Sequence, residues 1–227
     1  MEIKPIAFAH NGYTDKFGIP RQSRAQDIIE TRIVFEKPYA IEDAIRGIEG
    51  YSHLWLIWGF DKADKAKLTV RPPRLGGNIH MGVFATRSPF RPNRLGLSSV
   101  RLVRVERQSN CLALIVTGAD VLDRTPIYDI KPYLSFSDCH EDAVNGFAED
   151  TKDYRLPVVW EKGTAANVVA HSPSIKDELE EILSQDPRPG YQDNPTRVYK
   201  MEYSGWHVEF TVENKQVHIK MCILTEK

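Results

Sequence analysis

Between residues 28 and 118 the chain crowds β-branched and aromatic residues into short runs and contains no long helical periodicity. The runs span 28–35, 51–60, 81–86, 100–106 and 112–118, and each reads as a strand. Clusters of Gly, Pro, Asn and Asp separate them. Strands this dense, with no crossover helices between them, exclude a doubly wound parallel sheet and leave a β-barrel or a sandwich. One short helix is predicted where Ile41, Ala44, Ile45 and Ile48 follow helical spacing.

The tail has a different pattern. Ser172-Pro173 reads as an N-cap with Pro at the first helical position, and Ile175, Leu179, Ile182 and Leu183 form one apolar stripe. Pro187 and Pro189 stop that helix. Tyr199, Met201 and Tyr203 mark a strand. Two alternating strands follow, one through Trp206, Val208, Phe210 and Val212 and the other through Val217, Ile219, Met221 and Ile223. Asn214-Lys215 is the tight turn between them. Between the halves, residues 138–162 hold seven acids against three bases, which reads as an acidic linker or peripheral loop. The expected organisation is mainly β: a domain over 1–138, a linker over 139–165 and a small α+β domain over 166–227.

At 227 residues the chain can bury a core without staples. Its three cysteines, Cys111, Cys139 and Cys222, form no CxxC pair, so neither a disulfide framework nor a zinc knuckle is expected. The N-terminal stretch has no apolar h-region, and the longest apolar run, 54–60, is far too short for a bilayer. A cytoplasmic setting is expected. GxGxxG, Walker A, GxSxG and HExxH motifs are all absent. His207-x-Glu209 lacks a downstream PCxxC and falls on the polar side of a strand, so no metal is expected.

What remains is charge. The net charge is −1, yet residues 65–105 hold nine Lys or Arg and no acid. Arg71 and Arg74 lie in RPPRLGGN, and Arg87, Arg91 and Arg94 in TRSPFRPNRLG. Proline stiffens such loops, glycine permits close backbone approach, and arginine offers a planar fork of donors to phosphate or carboxylate. The pattern points to preorganised loops that grip a polyanion. Phe84, Phe90 and Tyr133 are candidates either to stack on unpaired bases beside these arginines or to pack in the core.

These residues resemble a known family. FGIPRQ (17–22), IEGYSHLWLIWGF (48–60), RPPRLGGN (71–78), MGVFATRSPFRPNRLGLS (81–98) and DRTPIYDIKPY (123–133) are similar to the TrmO-type tRNA methyltransferases. QDPRPGY (185–191) is similar to that family's small C-terminal domain. The resemblance implies a β-barrel that binds S-adenosylmethionine outside the Rossmann class. It also implies a homodimer acting on tRNA, with methyl transfer to N6 of threonylcarbamoyladenosine beside the anticodon. By motif, the cofactor side would comprise Pro20, Arg21, Gln22, Asp61, Lys62, Arg87, Leu97 and the turn Asp123, Arg124, Thr125, Pro126. Arg94 stands where many relatives are expected to carry Pro, and Arg124 where Gly is expected.

Asp129 and Tyr133 are the candidate groups to take the N6 proton. The substrate's threonyl carboxylate is a rival for that role. Arg71, Arg74, Arg91, Arg94, Lys131 and Arg188 are the candidate substrate or RNA contacts. Arg91 or Arg94 is expected to meet the threonyl carboxylate or an adjacent phosphate. Two other activities fit the same residues: methyl transfer to another RNA or small anionic substrate, and RNA binding with S-adenosylmethionine as an effector only.

Overall fold

The computed structural model describes residues 2–20, 28–72, 75, 79–108, 111–151, 154–188 and 194–225. The first half holds β1 (Ala7–His10), β2 (Glu30–Phe35), α1 (Glu42–Ile45), β3 (His53–Gly59), β4 (Thr69–Val70), β5 (Met81–Gly82), β6 (Leu95–Gln108), β7 (Cys111–Thr117), β8 (Pro126–Pro132) and α2 (Ser135–Asp138). Six of these strands close a barrel in the order β1-β2-β7-β6-β3-β8, and all six pairings are antiparallel. Closure removes the exposed edges that an open sheet would leave.

The strand period decides what faces inward. On β3, Leu54, Leu56 and Trp58 point into the barrel with Ala7, Ala9, Ile33, Val100, Leu114, Val116 and Ile127. Trp55 and Ile57 therefore face out. On β7, Ile115 also faces out, in register with Arg32 and Arg104, yet it is wholly buried. The stems of long charged side chains can cover apolar surface in this way. Arg104 is bound by Glu30 and Glu106, and Arg32 by Glu106. Bulges at Leu102/Arg104 and Ile57/Trp58 let the long strands bend around the barrel.

The second half holds β9 (Val158–Trp160), α3 (Thr164–His171), α4 (Pro173–Ser184), β10 (Tyr199–Tyr203), β11 (Trp206–Glu213) and β12 (Gln216–Leu224). The sheet order is β10-β11-β12-β9, with β9 parallel to β12. The apolar stripe of α4 is buried on this sheet. Asn214 and Lys215 both take positive φ, 50° and 57°, as a two-residue hairpin turn demands. No helix among the described residues is long and apolar enough to cross a membrane.

Several elements differ from the sequence expectation. Residues 83–85 form a one-turn 3₁₀ helix after a two-residue strand, not a strand through 86. The predicted first helix is a single turn. Strand β8 was unmarked, because Pro126, Asp129, Lys131 and Pro132 mask its β character. The 139–165 linker is shorter than expected: Leu156 is buried in the second core, β9 is a sheet strand, and α3 begins at Thr164. The local acids hid a strand that only a partner, β12, makes stable. Ser172 precedes α4 but makes no side-chain cap bond.

The two halves share a core. Tyr13, from the segment after β1, is buried among the second half's apolar residues, 5.5 Å from the Tyr203 ring. Phe17 stacks on Tyr199 at 6.1 Å. A Cβ at Gly18 would lie 2.6 Å from Met201 Cε, so the backbone here passes close against the second half's core. The second half thereby holds the stretch leading to Ile19 and Pro20.

Candidate active site

A cavity of about 860 Å³ opens at one end of the barrel. Its floor follows from strand register. Trp55 pairs with Ser99, Ile57 with Leu97, and Gly59 with Leu95. These are outward-facing rows, so the cavity lies against the outer face of β3 and β6 and wraps over the barrel end. Ile19 and Pro20, the 60–63 turn, the 86–91 loop, residues 120–122 with Thr125, and Tyr133 with Asp138 enclose it.

Two buried side chains shape the floor. Trp58 lies flat over Gly96 and contacts Phe60 at 4.3 Å between ring centroids. Its Nε1 donates to Ser98 Oγ at 2.8 Å, and Ser98 in turn donates to the Asp120 carboxylate. Ser98 is fully buried, so this chain fixes the Asp120 side chain from within the barrel. On the opposite wall, Asp138 Oδ2 accepts from Trp55 Nε1 at 2.7 Å and from the Leu134 N–H at 3.0 Å. The Leu134 amide, then Trp55, hold its carboxyl below the ordinary carboxylate range. Tyr133 packs on Trp55 at 5.4 Å and on His53 at 6.2 Å, completing an aromatic wall.

The charge of the site is mixed. Arg87, Arg91 and Lys62 line it together with Asp61, Asp120 and Asp138. Lys62 Nζ lies 3.0 Å from Asp61. The basic loop was legible in the sequence. Neither Asp120 nor Asp138 is among the expected site residues, and Asp138 is counted only as one of the acids of 138–162. Nothing local separates them from other surface acids; only closure of the barrel brings them into one cavity with Arg87.

Of the expected cofactor-side residues, Pro20, Asp61, Lys62, Arg87, Leu97 and Thr125 line the cavity. Arg21, Gln22 and Arg74 lie outside the described residues. Asp123, Arg124 and Pro126 are not on the lining. Asp123 accepts the Asn11 N–H and meets His10 at 3.5 Å. Pro126 is buried in β8 opposite Phe8. Arg124 takes φ 63°, the left-handed conformation that favours glycine, and its side chain is 82% exposed. The expectation of glycine at this turn agrees with that conformation, and the arginine present points outward.

Of the two candidate proton acceptors, Tyr133 lines the cavity and Asp129 does not. Asp129 and Lys131 do face outward, opposite Ile57 and Trp55. They lie on β8, across β3 from the covered β6 floor, about 10 Å from Leu97 at two strand spacings. Asp129 Oδ1 accepts the Ile130 N–H at 3.0 Å. Among the arginines, Arg91 lines the cavity but spends Nη1 on the Val83 and Thr86 carbonyls. Arg94 donates to the Ala63 carbonyl at 3.0 Å and is off the lining. Arg71 bonds His80 at 3.0 Å on the β4–β5 arm. Arg188 is held by Asp186 at 2.8 and 3.0 Å and lies over Tyr199 in the second half.

Known proteins share this arrangement. The family model for the tRNA-methyltransferase O N-terminal domain matches residues 8–139, and that for the TrmO C-terminal domain matches 153–223. A tRNA (adenine(37)-N6)-methyltransferase of Eikenella corrodens is 45% identical over 178 residues, covering 78% of this chain and 99% of its own. One of Escherichia coli K12 is 35% identical over 217 residues, covering 93% and 92%. An S-adenosyl-L-methionine-binding protein of Archaeoglobus fulgidus is 38% identical over 139 residues, 61% of this chain and 94% of its own. The crystal structure of TrmO from Pseudomonas aeruginosa superposes with TM-score 0.78 at 29% identity, covering 98% of each chain. With both family domains matched in order along a barrel-bearing chain, the chain belongs to the tRNA-methyltransferase O family.

Proposed function

We propose that this chain is an S-adenosylmethionine-dependent methyltransferase that methylates N6 of adenosine 37 in tRNA, and that its substrate form of that base is N6-threonylcarbamoyladenosine. The observation that carries the reading is the mixed-charge cavity at the barrel end, walled by the acid-free basic loop. Its residues suit the cofactor. About 860 Å³ lies within the usual range for a small-molecule site. Leu95, Leu97, Val121 and Leu122 offer an apolar bed to a heterocycle. Asp61 and Asp120 suit ribose hydroxyls or an ammonium. When bound, S-adenosylmethionine supplies an electrophilic methyl on a sulfonium.

The chain's own contribution is positioning, which can lower a barrier by about 7–11 kcal/mol. Trp55 and Tyr133, their rings inclined at 49°, form an aromatic wall for the target base, stiffened by Asp138. The ureido N6 has a delocalised lone pair, so losing its proton strengthens the nucleophile. We assign the Tyr133 hydroxyl to relay that proton, taking it from N6 while passing its own to solvent. Arg91 serves first to brace the 83–86 turn. Arg87 is left as the arginine best placed for an anionic group at the mouth.

The same reading divides the chain into a barrel domain to about residue 138 and a C-terminal domain that braces Ile19 and Pro20. It extends to a homodimer working in the cytoplasm, and light scattering of the purified chain tests the dimer.

The decisive experiment is an incubation with S-adenosylmethionine followed by nucleoside mass spectrometry. One tube holds tRNA with threonylcarbamoyladenosine, and a second holds tRNA without that group. One added methyl on the modified nucleoside, in the first tube only, is the expected result. No methyl in either tube, with S-adenosylmethionine still bound, overturns the assignment.

A further inference from the structure

Phe84 is apolar and aromatic, yet its ring is 74% exposed at the tip of the 83–85 turn. Scattered apolar residues on a surface need no explanation. This one is held rigidly. Val83 beneath it is buried and donates to the Leu68 carbonyl at 2.9 Å. The Val83 carbonyl accepts from the Thr86 N–H at 3.2 Å and the Thr86 hydroxyl at 2.9 Å. It also accepts from Arg91, whose Nη1 bonds the Thr86 carbonyl at 2.7 Å as well.

The same Arg91 guanidinium lies 5.9 Å from the Phe84 ring centroid. A second pair repeats the pattern next to it, with Lys67 Nζ 4.8 Å over the Phe90 ring. Thr86, Arg87, Phe90 and Arg91 line the cavity, and Phe84 does not. A braced, cation-backed ring thus stands immediately outside the place where a base would enter. Lys67, Arg87 and Arg91 supply cations on and beside the same loop, which complements a polyanion.

We propose that Phe84 is a stacking platform for the unpaired nucleotide adjacent to the adenosine that enters the cavity. The ring presents a π-face to that base while the cations beside it meet the backbone, the pairing that single-stranded nucleic acid sites use. Phe84 is a positioning and specificity residue: it fixes the register of the loop so that one adenosine, and not its neighbour, reaches the floor. The proposal rests on the tRNA reading above.

The test uses the full chain with Phe84→Ala, Phe84→Leu and Phe84→Trp. The RNA is an anticodon stem-loop with 2-aminopurine on either side of the target adenosine. Wild type quenches the fluorescence of one of the two probes, and Phe84→Ala does not. KM for tRNA rises roughly 5- to 150-fold in Phe84→Ala, S-adenosylmethionine affinity is unchanged, Phe84→Trp restores KM, and Phe84→Leu does not.

Unchanged KM and quenching in Phe84→Ala overturn the proposal. So does full rescue by leucine, which supplies apolar bulk without a π-face. A change in oligomeric state with quenching retained makes the ring a contact between copies of the chain and also overturns it. Absence of methyl transfer by wild type strikes the functional reading instead, and the quenching then decides the proposal alone.

Discussion

Gly96→Ala tests how the barrel wall makes the site floor. A Cβ built at Gly96 would lie 2.5 and 2.6 Å from Cζ2 and Cδ2 of Trp58. Ordinary carbon contacts are about 3.5–4.0 Å, so the ring must move by about 1 Å. Trp58 is nearly buried and packed against Phe60, and its Nε1 is bonded to Ser98 at 2.8 Å. Moving the ring stretches that bond beyond useful length. Overpacking costs about 1–3 kcal/mol, and the lost hydrogen bond about 0.5–1.5 kcal/mol. Reduced freedom of the unfolded chain returns about 0.4–1 kcal/mol. The net expectation is a loss near 2 kcal/mol in urea unfolding, together with weaker S-adenosylmethionine binding by calorimetry, since Asp120 loses its fixed donor chain. Phe84→Ala serves as a control that leaves this floor alone. Stability within 0.5 kcal/mol of wild type, with cofactor affinity intact, would refute the reasoning.

Four further outcomes are expected. Tyr133→Phe keeps the aromatic wall but lacks the hydroxyl, so kcat falls at least about tenfold with KM nearly unchanged; a wild-type kcat in steady-state assays removes Tyr133 from proton transfer. Asp138→Ala leaves Trp55 Nε1 and the Leu134 amide without their acceptor, so near-ultraviolet circular dichroism should change and activity drop, while Asp138→Asn retains most of both. Glu178 is pushed above the usual carboxylate range, first by burial, while accepting from the Tyr203 hydroxyl at 2.6 Å. A raised carboxyl favours the fold below the unfolded pKa, near 4.3, and that advantage fades as pH rises through the folded value. Glu178→Gln, whose amide oxygen still accepts from Tyr203, should therefore gain stability relative to wild type between pH 4 and pH 7 in denaturation curves; a constant difference would contradict the sign. Arg104→Gln should leave the salt dependence of tRNA affinity unchanged, because Glu30 and Glu106 hold Arg104, whereas Arg87→Gln should reduce the log–log slope by about 1.

Legibility of the sequence followed the range of the forces involved. The helix through Ile175–Leu183, the hairpin at Asn214-Lys215 and most barrel strands were readable because periodicity and turn chemistry act within a few residues. Strand β9 was not, since it is stabilised only by pairing with β12, more than fifty residues away. The basic loop could be read as an anion grip because its proline spacing and lack of acids are local properties. Arg104 belonged to the same run and was unreadable as a structural cation, because its partners come from β2 and its own strand.

The division is sharpest at the site itself. The sequence alone determined that the chain would be strand-rich, would lack a glycine-rich nucleotide fold and would carry a rigid cationic loop. Its motifs pointed to one family. Tertiary structure decided which residues face one another. Barrel closure set Asp120, Asp138 and Arg87 on the walls of one cavity, left Asp129 and Lys131 on a neighbouring strand outside it, and turned Arg124 into solvent. Facing depends on strand register and on which outer rows the loops cover, and one residue of slip would reverse every assignment. Those are long-range properties of a closed sheet, and no window along the chain contains them.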